Sequence, residues 1–196
     1  KENPADVNAL LGCAIEGAAN VEEYLKGQTA VIGEKIAVRR FTLYKTNGFL
    51  SSYIHLGGKI GVLVEVAGDV AGHAAAIHDV AMHIAAAKPV CISKEDCNQE
   101  DIEHEKKILR EQAMNEPKPK PANIIEKMVE GRIEKYYKEV CLLEQPFVKD
   151  QDQNIRTMLK ANGGLEIVRF YRFEMGEGLQ KRQDNFAEEV MGQMNK

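Results

Sequence analysis

The chain has 196 residues, 44% of them hydrophobic and 29% charged, with a net charge of −4 and a pI of about 5.8. That is enough chain and enough apolar side chain for one large domain or two small ones with a proper core. The acidic balance argues against non-specific nucleic-acid binding as the main task, and no apolar run approaches the ~18 residues of a membrane span.

Asn3-Pro4 followed by residues 5–19 predicts a helix with Val7, Leu10, Leu11 and Ile15 on one side, and residues 21–35 predict a second. Residues 36–44 read as a strand. Asn47-Gly48 favours the positive φ of a hairpin turn, so residues 49–55 are expected to run antiparallel to that strand. Gly57-Gly58 permits a bend or bulge before residues 59–66 continue the sheet. Residues 70–87 predict an alanine-rich helix with Ile77, Val80, Ala81 and Ile84 on one face. It should stop at Lys88, because a residue preceding proline is pushed out of the helical region.

The chain then changes character. Ser93-Lys94-Glu95-Asp96 signals a helix start, residues 101–113 are densely charged, and Pro117-Lys118-Pro119-Lys120-Pro121 is a stiff connector. Residues 122–140 are helical again, with Ile125, Met128, Val129, Ile133, Tyr136 and Val140 near one stripe. Two helices joined by a short proline-rich loop predict an antiparallel hairpin projecting from the core, with a narrow apolar seam on its first arm. Gln145-Pro146-Phe147-Val148 reads as a loop, residues 153–162 as a short helix closed by Gly163-Gly164, and residues 165–174 as a third strand. Residues 179–194 predict a terminal helix with Phe186, Val190 and Met194 at four-residue spacing. The fold class is α+β: a small, mostly antiparallel three-stranded sheet with packed helices and an inserted helical hairpin. Its expected divisions are residues 1–35, a core of 36–92 with 141–178, the hairpin 93–140 and a C-terminal module 179–196.

Little in the chain promises bond chemistry. His73, His78 and His83 are five residues apart, which puts neighbours about 140° apart around a helix, so they cannot converge on one ion. Gly57-Gly58-x-x-Gly61 is followed by strand-like residues where a phosphate loop needs a helix. No GxxxxGK[ST] occurs, so this chain is not expected to bind GTP itself. Cys13, Cys91, Cys97 and Cys141 form no CxxC pair and are expected as reduced thiols without metal. Residues 1–12 lack the basic-then-apolar order of a cleavable signal.

One stretch carries more information than the rest: residues 53–67, YIHLGGKIGVLVEVA, which set His55 just before a turn at a sheet edge. Before it comes IGEKIAVRRF; after it come IHDVAMHIAAAKP, EKMVEGRIEKYYKEVCLLEQPFV and RFEMGEG. In that order these segments closely resemble elongation factor Ts, the nucleotide-exchange partner of elongation factor Tu, over nearly the whole chain. The resemblance implies a non-enzymatic protein without cofactors that grips elongation factor Tu and promotes GDP release by deforming the nucleotide and magnesium site. It further implies that His55 meets the third domain of that GTPase, that Tyr53 and Gly57 shape the loop, that Val148 is a contact residue, and that Met194 lies near a C-terminal contact.

The chain departs from the family pattern at Leu56, inserted beside His55. The family's N-terminal ubiquitin-associated-like helices and its Thr-Asp-Phe-Val wedge are not among these residues, so a fragment that exchanges nucleotide poorly is expected. A cytoplasmic or organellar setting and homodimerisation are also implied, with no direct nucleic-acid or membrane partner. The rival reading is a non-catalytic homo-oligomeric interaction module.

Overall fold

The computed structural model describes residues 2–115 and 120–179, whose contacts separate residues 1–47 from residues 48–196. In the first unit, α1 (Val7–Gly12) begins where the Asp6 carboxylate accepts from the Ala9 N–H at 2.8 Å. It is shorter than its apolar spacing predicts, because Cys13 turns extended and Gly17 takes a φ of +87°. Helix α2 (Val21–Ile32) is capped by the Asn20 side chain on the Glu23 N–H at 2.9 Å and closed by left-handed Gly33. No described ladder includes residues 36–44, so the strand expected there is not found. Its alternate residues Ile36, Val38 and Arg40 are half-buried between exposed Ala37 and Arg39. A β-like composition reports fit to a half-buried extended surface, which is weaker than a ladder.

The second unit is built on a three-stranded antiparallel sheet in the order β1 (Phe49–His55), β2 (Ile60–Ala67), β5 (Glu166–Glu174). The tight turn is at residues 56–58, where the sequence suggested only a bend: His55 pairs with Ile60 and Phe49 with Val66, so β1 and β2 are themselves the hairpin. Strand β2 is central, and Ile60, Val62, Val64 and Val66 are buried on one face. That face is covered by α3 (Ala74–Ala87) through Ile77, Val80, Ala81 and Ile84, as their spacing predicts. The helix starts later than residue 70 because Gly72 has a φ of +79°, and it stops at Lys88 before Pro89 as expected.

From Lys88 the chain enters the helical hairpin, α4 (Gln99–Met114) and α5 (Ala122–Val140). Ser93–Asp96 forms a turn, and the helix starts instead at Asn98, whose side chain accepts from the Glu100 N–H at 2.9 Å. The arms run antiparallel: Arg110 meets Glu126 at 2.8 Å, while Lys94, before α4, meets Glu134 at 2.7 Å further along α5. Leu109, Ala113, Ile125, Val129 and Ile133 make a small apolar cluster of their own. A second cluster at the root contains Cys91, Cys97, Ile102 and Cys141. Cys91 and Cys97 are joined as a disulfide, which corrects the expectation that all four cysteines are thiols; Cys13 and Cys141 are free. Six residues of sequence do not reveal that the Ser93–Cys97 turn folds one sulfur back on the other.

After α5, β3 (Pro146–Phe147) and β4 (Asp150–Asn154) form a short antiparallel ribbon where a loop was predicted. Helix α6 (Ile155–Ala161) follows, capped by the Asn154 side chain on the Thr157 N–H at 2.9 Å, and buries Ile155, Met158 and Leu159. Gly163 and Gly164 close it in the left-handed region, as read from the sequence. A Cβ at Gly163 would fall 2.9 Å from His73 Nε2 at a φ of +80°. Gly163→Ala is therefore expected to lower unfolding free energy by about 1–2 kcal/mol, the usual left-handed cost for an L-residue, read as a drop in the urea midpoint.

Candidate functional site

The turn at residues 56–58 is unusually tight because three consecutive residues take positive φ: Leu56 at 50°, Gly57 at 64° and Gly58 at 95°. Glycine adopts this region freely, whereas Leu56 does so against its own Cβ. Its side chain, with that of Ile54, is left exposed to solvent. Just behind the turn, Tyr53 and His55 share one face of β1 at the two-residue period of a strand. The Tyr53 hydroxyl lies 3.0 Å from His55 Nδ1 and the two rings stack at 5.6 Å. On its other side Tyr53 meets His78 of α3 edge-on at 5.3 Å. His55 is thus held half-buried on an aromatic shelf with a limited choice of rotamers.

Val148 caps the β3–β4 ribbon, 40% exposed. Its N–H donates to Nδ1 of buried His83 at 3.3 Å, and the neighbouring Lys149 ammonium pairs with Asp79 at 2.6 Å. Since a main-chain N–H can only donate, Nδ1 is the acceptor nitrogen and Nε2 carries the proton. That proton goes to Gln145 Oε1 at 2.9 Å, while Gln145 Nε2 donates to the carbonyls of Ala87 (3.2 Å) and Glu139 (2.6 Å). One buried glutamine thus ties the ends of α3 and α5 to the ribbon. Both predicted loops are consequently referenced to the same helix: the His55 shelf at His78, and the Val148 tip at Asp79 and His83.

Burial holds the His83 imidazole below its ordinary pKa of 6.5, with the Gln145 bond opposing in part. A histidine with a depressed folded pKa contributes stability fully above the unfolded value. That contribution is lost as pH falls from 6.5 toward the folded pKa, because only the unfolded chain then takes the proton. Protonation would also set an N–H at Nδ1 against the Val148 N–H. The urea midpoint is expected to fall on mild acidification, and the fall should be smaller in His83→Gln, with denaturation at neutral and mildly acid pH as the check.

Gly57 and Gly58 sit exposed at a hairpin that leads into a strand, which gives a phosphate group no helix end to approach. A depression of about 420 Å³ beside Lys88, Pro89, Phe170 and Arg172 has its charges paired internally. Lys88 and Arg172 both bond Glu174, at 2.9 and 2.7 Å, and Arg172 also donates to the Ala85 carbonyl at 3.2 Å. Neither place gathers converging polar groups for a small substrate.

The protein-family model for elongation factor TS matches residues 1–177. The chain belongs to the elongation factor Ts family. Tyr53, His55, Gly57 and Val148 all fall within the matched stretch, as do the described strands, the helical hairpin and α6. Met194 lies beyond the match and outside the described residues. Among the described residues no helix is long and apolar enough to cross a membrane.

Three residues that order this elongation factor Ts surface were missed from sequence: His78, His83 and Gln145. A polar residue at a helical apolar position was the available signal for His83, since it lies between Val80 and Ile84 on the buried stripe of α3. Gln145 had none, because its partners come from distant segments.

Proposed function

We propose that this chain is a contact-forming part of a nucleotide-exchange factor, which binds elongation factor Tu and favours its GDP-free form through protein–protein contacts. The observation that carries the reading is the common footing of His55 and Val148. Two positions expected as contacts from the family resemblance, one ending β1 and one at the tip of the β3–β4 ribbon, are both anchored on one packed helix, α3. Loops posted on a packed scaffold lose little entropy when a partner docks. The exposed side chain of Leu56 supplies apolar area at the turn beside His55, and that of Val148 supplies it at the tip of the ribbon.

Exchange by such a surface needs no proton transfer and no bond to the nucleotide. If it binds the nucleotide-free GTPase more tightly than the GDP-bound one, linkage requires GDP affinity to fall by the same factor. The energy comes from the difference between two binding reactions, so the decisive quantity is affinity for each state. The test is calorimetric titration of elongation factor Tu, nucleotide-free and GDP-loaded, with this chain, alongside release of a fluorescent GDP. Tighter binding to the nucleotide-free form supports the proposal; equal or undetectable binding to both forms defeats it.

Homo-association is favoured by a different observation, the second face of the sheet. Leu50, Ile54 and Tyr171 stand on it with solvent-exposed side chains beside the Glu65–Arg169 ion pair. Sedimentation with and without the GTPase separates the two readings.

A further inference from the structure

Three of the four cysteines meet at the root of the helical hairpin, and nothing in the partner-binding reading uses them. The Sγ atoms of Cys91, Cys97 and Cys141 all lie within 4.8 Å of one another. They come from three places: the segment after α3, the turn before α4, and the end of α5. Main-chain ties fix them there. Cys91 and Cys141 form a parallel bridge, with the Leu142 N–H donating to the Cys91 carbonyl at 2.9 Å. Val90 donates to the Val140 carbonyl at 2.8 Å and Leu143 to the Ile92 carbonyl at 3.0 Å. All three cysteines are buried, and Tyr136, Tyr137 and Val140 pack around them.

We propose that, once the Cys91–Cys97 disulfide is reduced, Cys91, Cys97 and Cys141 form a three-thiolate site for one thiophilic cation, zinc(II) being the occupant that fits. A tetrahedral zinc at about 2.3 Å from each sulfur sets the sulfurs about 3.8 Å apart, a spacing that lies inside the span of this cluster. Only the bonded pair must separate, and Cys97 stands on a turn where a change of χ1 moves its sulfur without moving a helix. Thiolates select zinc, cadmium and copper(I) over the hard cations magnesium and calcium. Among the described residues no fourth carboxylate, imidazole or thiol joins the group, so the site offers three protein ligands.

The chemistry balances with a phosphine as reductant. The phosphine breaks the S–S bond and becomes its oxide with oxygen from water, leaving two thiols. One zinc ion then displaces up to three thiol protons. Occupancy would clamp the start of α4 to the end of α5, at the base of the hairpin.

The experiment uses the full chain, reduced with phosphine and stripped of metal, titrated with cadmium and read by thiolate-to-cadmium charge-transfer absorption. One cadmium per chain is expected, with sub-micromolar affinity, displaced by zinc and accompanied by proton release. Cys13→Ser should titrate like the wild type. Cys97→Ser and Cys141→Ala should lose more than about 100-fold in affinity, since even groups that merely orient ligands are worth about 10–100-fold. If circular dichroism shows Cys141→Ala to be unfolded, Cys97→Ser, altered on a turn, decides the matter alone. Absence of the band in the reduced wild type, an undiminished band in Cys97→Ser, or equal binding by the unreduced protein would each overturn the site. None of these outcomes depends on whether elongation factor Tu is bound.

Discussion

Gln145→Ala is expected to lower the unfolding free energy by about 3 kcal/mol, although it removes only two polar atoms and no apolar surface to speak of. The side chain is 3% exposed and satisfies three buried groups at once: the His83 Nε2 proton and the carbonyls of Ala87 and Glu139. Each group left unpaired in a dry interior costs about 1–3 kcal/mol, and some of that is recovered if water enters the space. Gln145→Glu should be no better, because a carboxylate accepts from His83 but has nothing to donate to two carbonyls. Gln145→Met separates volume from hydrogen bonding and should resemble alanine. Urea unfolding of the three variants at neutral pH is the measurement; a loss below about 1 kcal/mol for Gln145→Ala would mean that the node is not what joins α3, α5 and the ribbon.

His55→Ala should raise the Kd for elongation factor Tu about 30-fold, roughly 2 kcal/mol, while leaving the urea midpoint of the chain nearly unchanged. The reasoning is geometric. His55 is half-buried at the end of β1, on a shelf made by Tyr53 and, behind it, His78. Truncation removes an oriented ring from the proposed interface and leaves the valine layer of β2 untouched. Tyr53→Phe tests the shelf separately: it keeps the stack and deletes only the 3.0 Å hydroxyl contact, so the loss of affinity should be several-fold. An unchanged Kd for His55→Ala, with a correctly folded chain, would remove this residue from the interface.

What the sequence made legible depended on how locally each feature is encoded. The apolar stripe of α3, its stop before Pro89, the glycine closure of α6 and strand β5 are each written within one or two turns of chain, and they appear where the pattern puts them. The first hairpin was misplaced because two glycine-containing turns compete in one short stretch. Asn47-Gly48 has the better local signature, but the ladder between β1 and β2 closes at Leu56-Gly57-Gly58. The buried valines of β2 require that register, and burial outweighs turn propensity. Ile36 to Tyr44 has the composition of a strand without a described ladder, so composition alone could not decide it.

The site was legible in part for the same reason. His55 could be placed at the end of a strand from the glycines that follow it. Its shelf could not, since His78 reaches Tyr53 across the packing of helix on sheet. The three cysteines looked scattered because a whole helical hairpin separates Cys97 from Cys141 in the chain, and returns to its own start in space. Gln145 lies at the extreme: every bond that gives it a purpose comes from a distant segment or a main-chain atom.

The helical hairpin keeps its apolar seam separate from the layer beneath the sheet, and that separation has a mechanical consequence. Excising one matched turn from both arms would shorten the projection by about 5.4 Å and leave the ties at its base intact. Span and anchorage are therefore set by different residues, so a lineage of such proteins is free to lengthen or trim the boom without rebuilding the platform on which it stands.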